Sequence, residues 1–348
     1  MRFVRRHAVK LVASAIITAG VLLTARAGGL KLVPDGGDFG AVRWWGLAAY
    51  VPLWLVMTWF RSVRWRFLLR RIVDVPQREL FAVSCVGFAA ILLMPFRLGE
   101  LVRPYMLHER VRDRVSLAAA TSSVVAERVI DGFFLSVVLA VVLACVATIE
   151  PLPERVVGLP IPVSAVRSAA FAMLVAFAIA LAAIAVFYFA REFARRATTA
   201  VIGLVSPRLA AALARFAEQL ADGLHVFGRA RDAAGFLVET ALYWLANALG
   251  MWVLASACGV SVTFAQTCGL MGLLGCTILI PGPPGLLGVF QAGIYAGMTM
   301  YVPAAIVIGP GAAYVFLLYL AQLVLVLACG AWGLWREGGA RKLAGAPL

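Results

Sequence analysis

Two stretches of this sequence carry charge where an apolar chain can least tolerate it. The first reads Leu93-Met94-Pro95-Phe96-Arg97-Leu98-Gly99-Glu100-Leu101-Val102-Arg103-Pro104-Tyr105. Pro95 denies the backbone one donor, and Gly99 allows close approach of another segment. A half-helix starting here would point free N–H groups inward, and such an N-terminus favours anions. Arg97 and Arg103 are suited to bidentate phosphate contacts. Glu100 is placed to hold an arginine or to exchange a proton. The plainer alternative is a solvated loop with ordinary charges.

The second stretch contains Glu127, Arg128 and Asp131 inside a long apolar run. Glu127 and Asp131 are four apart and share a helix face, with Arg128 three before Asp131. Acids inside a membrane span need a partner, and Arg97 or Arg103 is a candidate. Either the group serves transport or it is a structural ion-pair network. A third segment, Pro281-Gly282-Pro283-Pro284-Gly285-Leu286-Leu287-Gly288, interrupts another apolar run and has no charge. It offers backbone amides but no counter-ion, and Gln291 follows it. Gly293 and Gly297 form a GxxxG, a weak packing signal.

Other chemistry is poorly supported. The six cysteines (Cys85, Cys145, Cys258, Cys268, Cys276, Cys329) lie within or at the ends of apolar runs, with no CxxC pair. They suggest neither disulfides nor zinc. His7, His108 and His225 are far apart, so no metal site is expected. With no nucleophile–base pair and no P-loop lysine, the chain is expected to be no enzyme and to need no cofactor.

The elements that position these residues follow from composition. The chain is 63% hydrophobic and 14% charged, with mean hydropathy +0.94. A soluble domain is about 45–50% apolar and about 25% charged, so the excess must face lipid. The net charge of +14 does not indicate nucleic acid, because the arginines fall between apolar runs, as the positive-inside rule expects.

The fold class is therefore an all-α polytopic membrane protein. Apolar runs at 11–25, 44–60, 116–149, 169–190, 236–257 and 303–335 give about six transmembrane spans. Ala25-Arg26-Ala27 resembles a signal-peptidase site, but an uncleaved first span is preferred because the repeat described next needs it. Leu80–Met94 and Phe264–Ile280 fall short of the ~20 residues that cross the hydrocarbon core. Each ends at proline and reads as a re-entrant broken segment. Ser206-Pro207 opens an amphipathic helix at about 206–229, with Leu209, Leu213, Phe216, Leu220, Leu224 and Phe227 on one face. It is expected on the cytoplasmic surface, against lipid or against the protein's own loops.

Two halves share one grammar: two spans, a broken segment and a long span. Residues 1–150 form the first membrane repeat and 168–337 the second, together one membrane domain. With a cytoplasmic N-terminus, the basic linkers 61–79, 96–114 and 191–235 and the C-terminal tail fall inside, and 258–264 falls outside. Each half then crosses three times, so the repeat is inverted, and its paired breaks point to the substrate site. Pro95 and Pro281 are expected to meet near the midplane.

Arg64-Trp65-Arg66-Phe67-Leu68-Leu69, the RLGE core within Pro95–Tyr105, Glu127-Arg128-Val129-Ile130-Asp131 and Pro281–Gly288, in this order, resemble the lysylphosphatidylglycerol synthase transmembrane family. The resemblance runs over nearly the whole chain and rests on order and spacing. It implies a stand-alone flippase-like domain of the bacterial inner membrane that moves, or helps move, a polar-headgroup lipid. Some relatives carry a cytosolic synthase domain. This chain ends at Leu348, shortly after Trp335, so none is expected here. Relatives often have a glutamate after the glycines of the second broken segment. Gln291 is the nearest candidate here, which puts proton coupling at that position in doubt.

Three functions compete. The first is a translocase for an anionic, zwitterionic or polyprenyl-phosphate lipid, with membrane lipids as partners. The second is a non-transporting partner of a lipid-modifying enzyme. The third is a small-solute transporter of inverted-repeat type. The broken segments favour the first and third, and an arginine-lined cytoplasmic mouth favours the first.

Overall fold

The computed structural model describes residues 33–70, 73–111, 114–157, 159–202, 230–279 and 284–343, with isolated positions between 204 and 218. After a short 3-10 turn at Gly36–Phe39 the chain is helical: α1 Trp45–Leu69, α2 Gln77–Leu93, a 3-10 segment Pro95–Leu101, α3 Val102–Arg110, α4 Leu117–Cys145, α5 Val163–Phe189, α6 Arg191–Ile202, α7 Ala230–Ala257, α8 Phe264–Ile278, α9 Val289–Tyr301, α10 Ala304–Ile308 and α11 Pro310–Leu343. No strand is present among the described residues.

Among the described residues four helices are long and apolar enough to cross a bilayer: Leu117–Cys145, Val163–Phe189, Ala230–Ala257 and Pro310–Gly338. The expected span at 11–25, Pro281 and nearly all of the amphipathic stretch 206–229 lie outside the described residues. The expected span 303–335 is two helices: α10 ends at Ile308, and α11 starts afresh at Pro310 after Gly309. A proline at a helix start loses nothing, since its missing donor has no intrahelical partner there.

The linker expected at 61–79 is different from its sequence reading. α1 continues through Arg61, Arg64 and Arg66 to Leu69. Its buried stripe, Tyr50, Trp54, Met57, Arg64, Leu68, keeps helical spacing past the end of the apolar run. The arginines are therefore part of the packed helix and not of a solvated connection.

Small residues set the helix pairs. A Cβ on Gly46 would lie 2.1 Å from Ala257 Cβ, and one on Gly250 would lie 3.2 Å from the Tyr50 ring. With Arg70 3.3 Å from Asp232 at the other end, α1 and α7 run antiparallel. Gly330 and Gly333 of α11 face Ala89 and Ala82 of α2, and Gly269, Gly272 and Gly275 of α8 face Val142, Leu139 and Leu135 of α4. These pairs are antiparallel too. Between apolar helices in lipid, close backbone approach of this kind supplies the packing attraction.

Two helical hairpins stand out among the described residues. After Leu93 the chain turns and α3 packs back on α2: Gly99 faces the Ala90 backbone, and Gly87 faces the Arg103 side chain. Gly293 and Gly297 of α9 face Leu274 and Leu270 of α8 in the same manner. The GxxxG thus packs a hairpin. The loop after α4 closes over α9, with Ile149 N–H on Met300 O at 3.0 Å.

Candidate functional site

The charged residues of α1, α3 and α4 converge. Arg64 on α1 is wholly buried and donates to Glu127 Oε1 and Asp131 Oδ2 of α4, each at 2.7 Å. It also pairs with Asp131 Oδ1. Arg103 on α3 reaches Glu127 Oε2 at 2.8 Å. Arg128 reaches Glu127 Oε1 at 2.6 Å and Asp131 Oδ2 at 3.3 Å. Trp244 on α7 donates its indole N–H to Asp131 at 3.3 Å. Three guanidinium groups thus saturate two carboxylates in a buried network. Such a network offsets the cost of desolvating each charge only while every partner is present.

Aromatic faces complete the cations. The Arg103 guanidinium lies 4.1 Å from the Trp65 ring centroid, and Arg64 lies 4.7 Å from Tyr243. Arg61, one helical turn before Arg64, stacks 3.9 Å from Phe88 and 5.9 Å from Tyr243. Cations over ring faces gain electrostatic attraction that grows as water is excluded.

A cavity of about 180 Å³ opens beside this network. Its charged lining is Arg61, Arg97, Arg128 and Asp131, and its walls are apolar residues of α2, α8 and α11, such as Ile91, Leu274 and Val326. Both broken segments reach it, through Arg97 on one side and Ile278, Leu279 and Leu286 on the other.

The sequence-proposed residues divide into groups. Arg103, Glu127, Arg128 and Asp131 are brought together in the network. Arg97 and Glu100 pair with each other instead, with Arg97 Nε 2.8 Å from Glu100 Oε1. Arg97 Nη1 donates to the Ile278 carbonyl at 2.9 Å, so its side chain bridges the hairpins. Its φ of 57° lies in the left-handed region, which a residue with a Cβ rarely adopts. Gly99 is buried with no room for a Cβ, which would fall 2.1 Å from the Ala90 carbonyl. Pro95 begins the 3-10 turn after α2.

On the second break, Gly285 and Gly288 have φ of 75° and 84°. Tyr319 donates to the Gly285 carbonyl at 2.9 Å. Gln291 is buried and accepts from Gly288 N–H at 2.6 Å. It caps α9, and that bond occupies the Gly288 amide, one of the backbone amides the second break was expected to offer.

Sequence reasoning missed Arg61, Tyr243 and Trp244, and used Arg64 for the family resemblance without placing it at the site. The apolar stripe of α1, which continues into Arg61 and Arg64, was the available signal. Among the described residues no group of three His, Cys, Asp or Glu is arranged to hold a metal.

The family model for the lysylphosphatidylglycerol synthase TM region matches residues 10–330. The chain belongs to this family. The matched range includes every residue of the charge network and both hairpins, so the site is built within the family's own region. Compared with curated proteins and with solved structures, the chain has no match. It is a multi-pass membrane protein, of a family whose description ties it to lipid chemistry.

Proposed function

We propose that this protein is a bacterial inner-membrane lipid translocase, moving a phosphate-bearing or otherwise polar-headgroup lipid across the bilayer. The observation that carries the reading is a cavity with apolar walls and arginine-rich polar lining. Such a cavity accepts a headgroup at the charges and leaves the tails along apolar helix surface. Its partners are membrane lipids, and it acts as a transporter without a chemical step of its own.

The architecture proposed for it has six spans, two re-entrant hairpins and both termini in the cytoplasm. The helix pairs support an inverted repeat. In that scheme α1 and α7 are symmetry mates, and they pack antiparallel on each other. The first hairpin packs on α11 of the second half, and the second hairpin packs on α4 of the first. Such reciprocal exchange is what a pseudo-two-fold axis in the membrane plane requires.

The test is reconstitution into liposomes holding fluorescent lipids of several headgroups, with a membrane-impermeant quencher. Faster exposure of inner-leaflet label in wild type than in an Arg128→Gln variant is expected. Equal rates in wild-type, Arg128→Gln and protein-free vesicles for every headgroup would sink the reading.

A further inference from the structure

The charge balance at the cavity goes further and rests on the translocase reading. Four arginines, Arg61, Arg64, Arg103 and Arg128, gather near two carboxylates, Glu127 and Asp131. Arg64, Arg103 and Arg128 take both carboxylates between them. Arg61 has none. It shares the Tyr243 ring with Arg64 and the cavity wall with Arg128 and Asp131. Its Nε is buried without a hydrogen-bond partner, and it forms no ion pair among the described residues. Arg97 does not alter the balance, because Glu100 neutralises it. Glu239 on α7 does not restore it, since it forms no ion pair among the described residues, and its Oε2 is buried unbonded.

The site therefore holds an excess of two positive charges. A half-buried cation that lines a cavity without a carboxylate partner favours an anion there. A phosphate monoester carries about −1.5 to −2 at pH 7, which matches the excess. A phosphodiester carries about −1 and matches half of it, while a zwitterionic or cationic headgroup leaves it in place or adds to it. One water needs roughly 10–15 Å³ of such space, so the cavity of about 180 Å³ admits a phosphate and its first carbons.

We propose that this cavity binds a phosphate monoester headgroup between Arg61 and Arg128, with the adjoining methylenes against Ile91, Leu274 and Val326. The Asp131 carboxylate in the same wall is held by Arg64, Arg128 and Trp244, so its charge is balanced before the anion arrives.

The full-length protein in neutral detergent is titrated with short-chain phosphatidic acid, with phosphatidylcholine and a cationic lipid of equal chain length, and with inorganic phosphate. The unfolding midpoint is followed, since a ligand that binds the folded state raises it. Phosphatidic acid is expected to raise the midpoint and the other two lipids to leave it unchanged. Arg61→Gln is expected to weaken phosphatidic acid at least about tenfold, the loss of one charge-assisted contact, and to raise the ligand-free midpoint by removing an unbalanced cation. Arg61→Lys should retain most of the binding, and it carries the test if Arg61→Gln does not fold. Inorganic phosphate that binds as tightly as the lipid would support the phosphate site and assign it to the free anion; weaker binding assigns it to the lipid.

Equal stabilisation by phosphatidylcholine or by the cationic lipid would overturn the proposal, as would unchanged phosphatidic acid binding by Arg61→Gln. Phosphatidic acid that binds but does not cross in proteoliposomes removes the translocase reading alone. Lipid movement with no preference for a phosphate headgroup removes this inference alone.

Discussion

Arg97 donates to the carbonyl of Ile278 across 181 residues of sequence, at 2.9 Å. That bond joins the turn of the first hairpin to the end of α8 in the second, and Glu100 holds the same guanidinium from its other side. One arginine thus ties the two breaks together in the cavity wall.

Arg97→Ala is expected to slow lipid movement in proteoliposomes while leaving membrane insertion intact, because it removes the side-chain bond between the two hairpins. Arg97→Gly removes the same side chain and also relieves the left-handed backbone, worth roughly 1–2 kcal/mol. The glycine variant should therefore unfold at a higher temperature than the alanine variant. An alanine variant as stable as the glycine variant would show that this backbone strain is absent.

Arg64→Ala leaves Glu127 and Asp131 buried with one principal partner fewer. Breaking a buried network in this way costs about 3–5 kcal/mol. A large fall in the thermal midpoint, or loss of the monodisperse peak in size-exclusion chromatography, is the expected result. Arg66→Ala is the control: Arg66 pairs with exposed Asp74 at 3.2 Å, and an exposed pair is worth about 0–1 kcal/mol.

Gly99→Ala would push a Cβ into the Ala90 carbonyl at 2.1 Å. Backbone has nowhere to retreat there, so the hairpin should open and folded yield should drop. At Gly338 nothing lies within 4 Å of an added Cβ, and alanine in a helix is favoured over glycine by about 1 kcal/mol. Gly338→Ala is expected to be neutral or stabilising in the same expression test.

Gln291→Leu removes the acceptor that caps α9 and leaves Gly288 N–H unpaired, at a cost of about 0.5–2 kcal/mol. Gln291→Glu keeps an acceptor oxygen in place beside a helix N-terminus, where negative charge is favoured. The glutamate variant should melt close to wild type and the leucine variant below it. The reverse order would show that the cap does not hold the second break.

Ser261 is exposed in the segment between α7 and α8. In a background lacking the six native cysteines, Ser261→Cys is expected to react with an impermeant thiol reagent added outside intact cells. Reaction only after the cells are opened would reverse the proposed orientation.

Sequence alone determined the solvent this chain folds in, its all-helical class, the family and the positions of the two breaks. These follow from local composition: apolar excess, run length and the points where proline and glycine interrupt a helix. It also identified Arg103, Glu127, Arg128 and Asp131 as residues that need partners, since ionisable groups in apolar runs are costly wherever they end up. Which partners they take was decided only by the tertiary structure. Arg64 meets acids 63 and 67 residues away, and its own neighbourhood of arginines reads as a cytoplasmic linker until α1 is seen to continue through it. Arg97, offered for phosphate contact, is held by Glu100, a pairing the sequence allowed, and by Ile278, which it did not suggest, and Gln291 is engaged as a helix cap. The reason is general: hydropathy and run length are properties of a segment, whereas the counter-ion of a buried charge is a property of whichever helix the packing brings beside it.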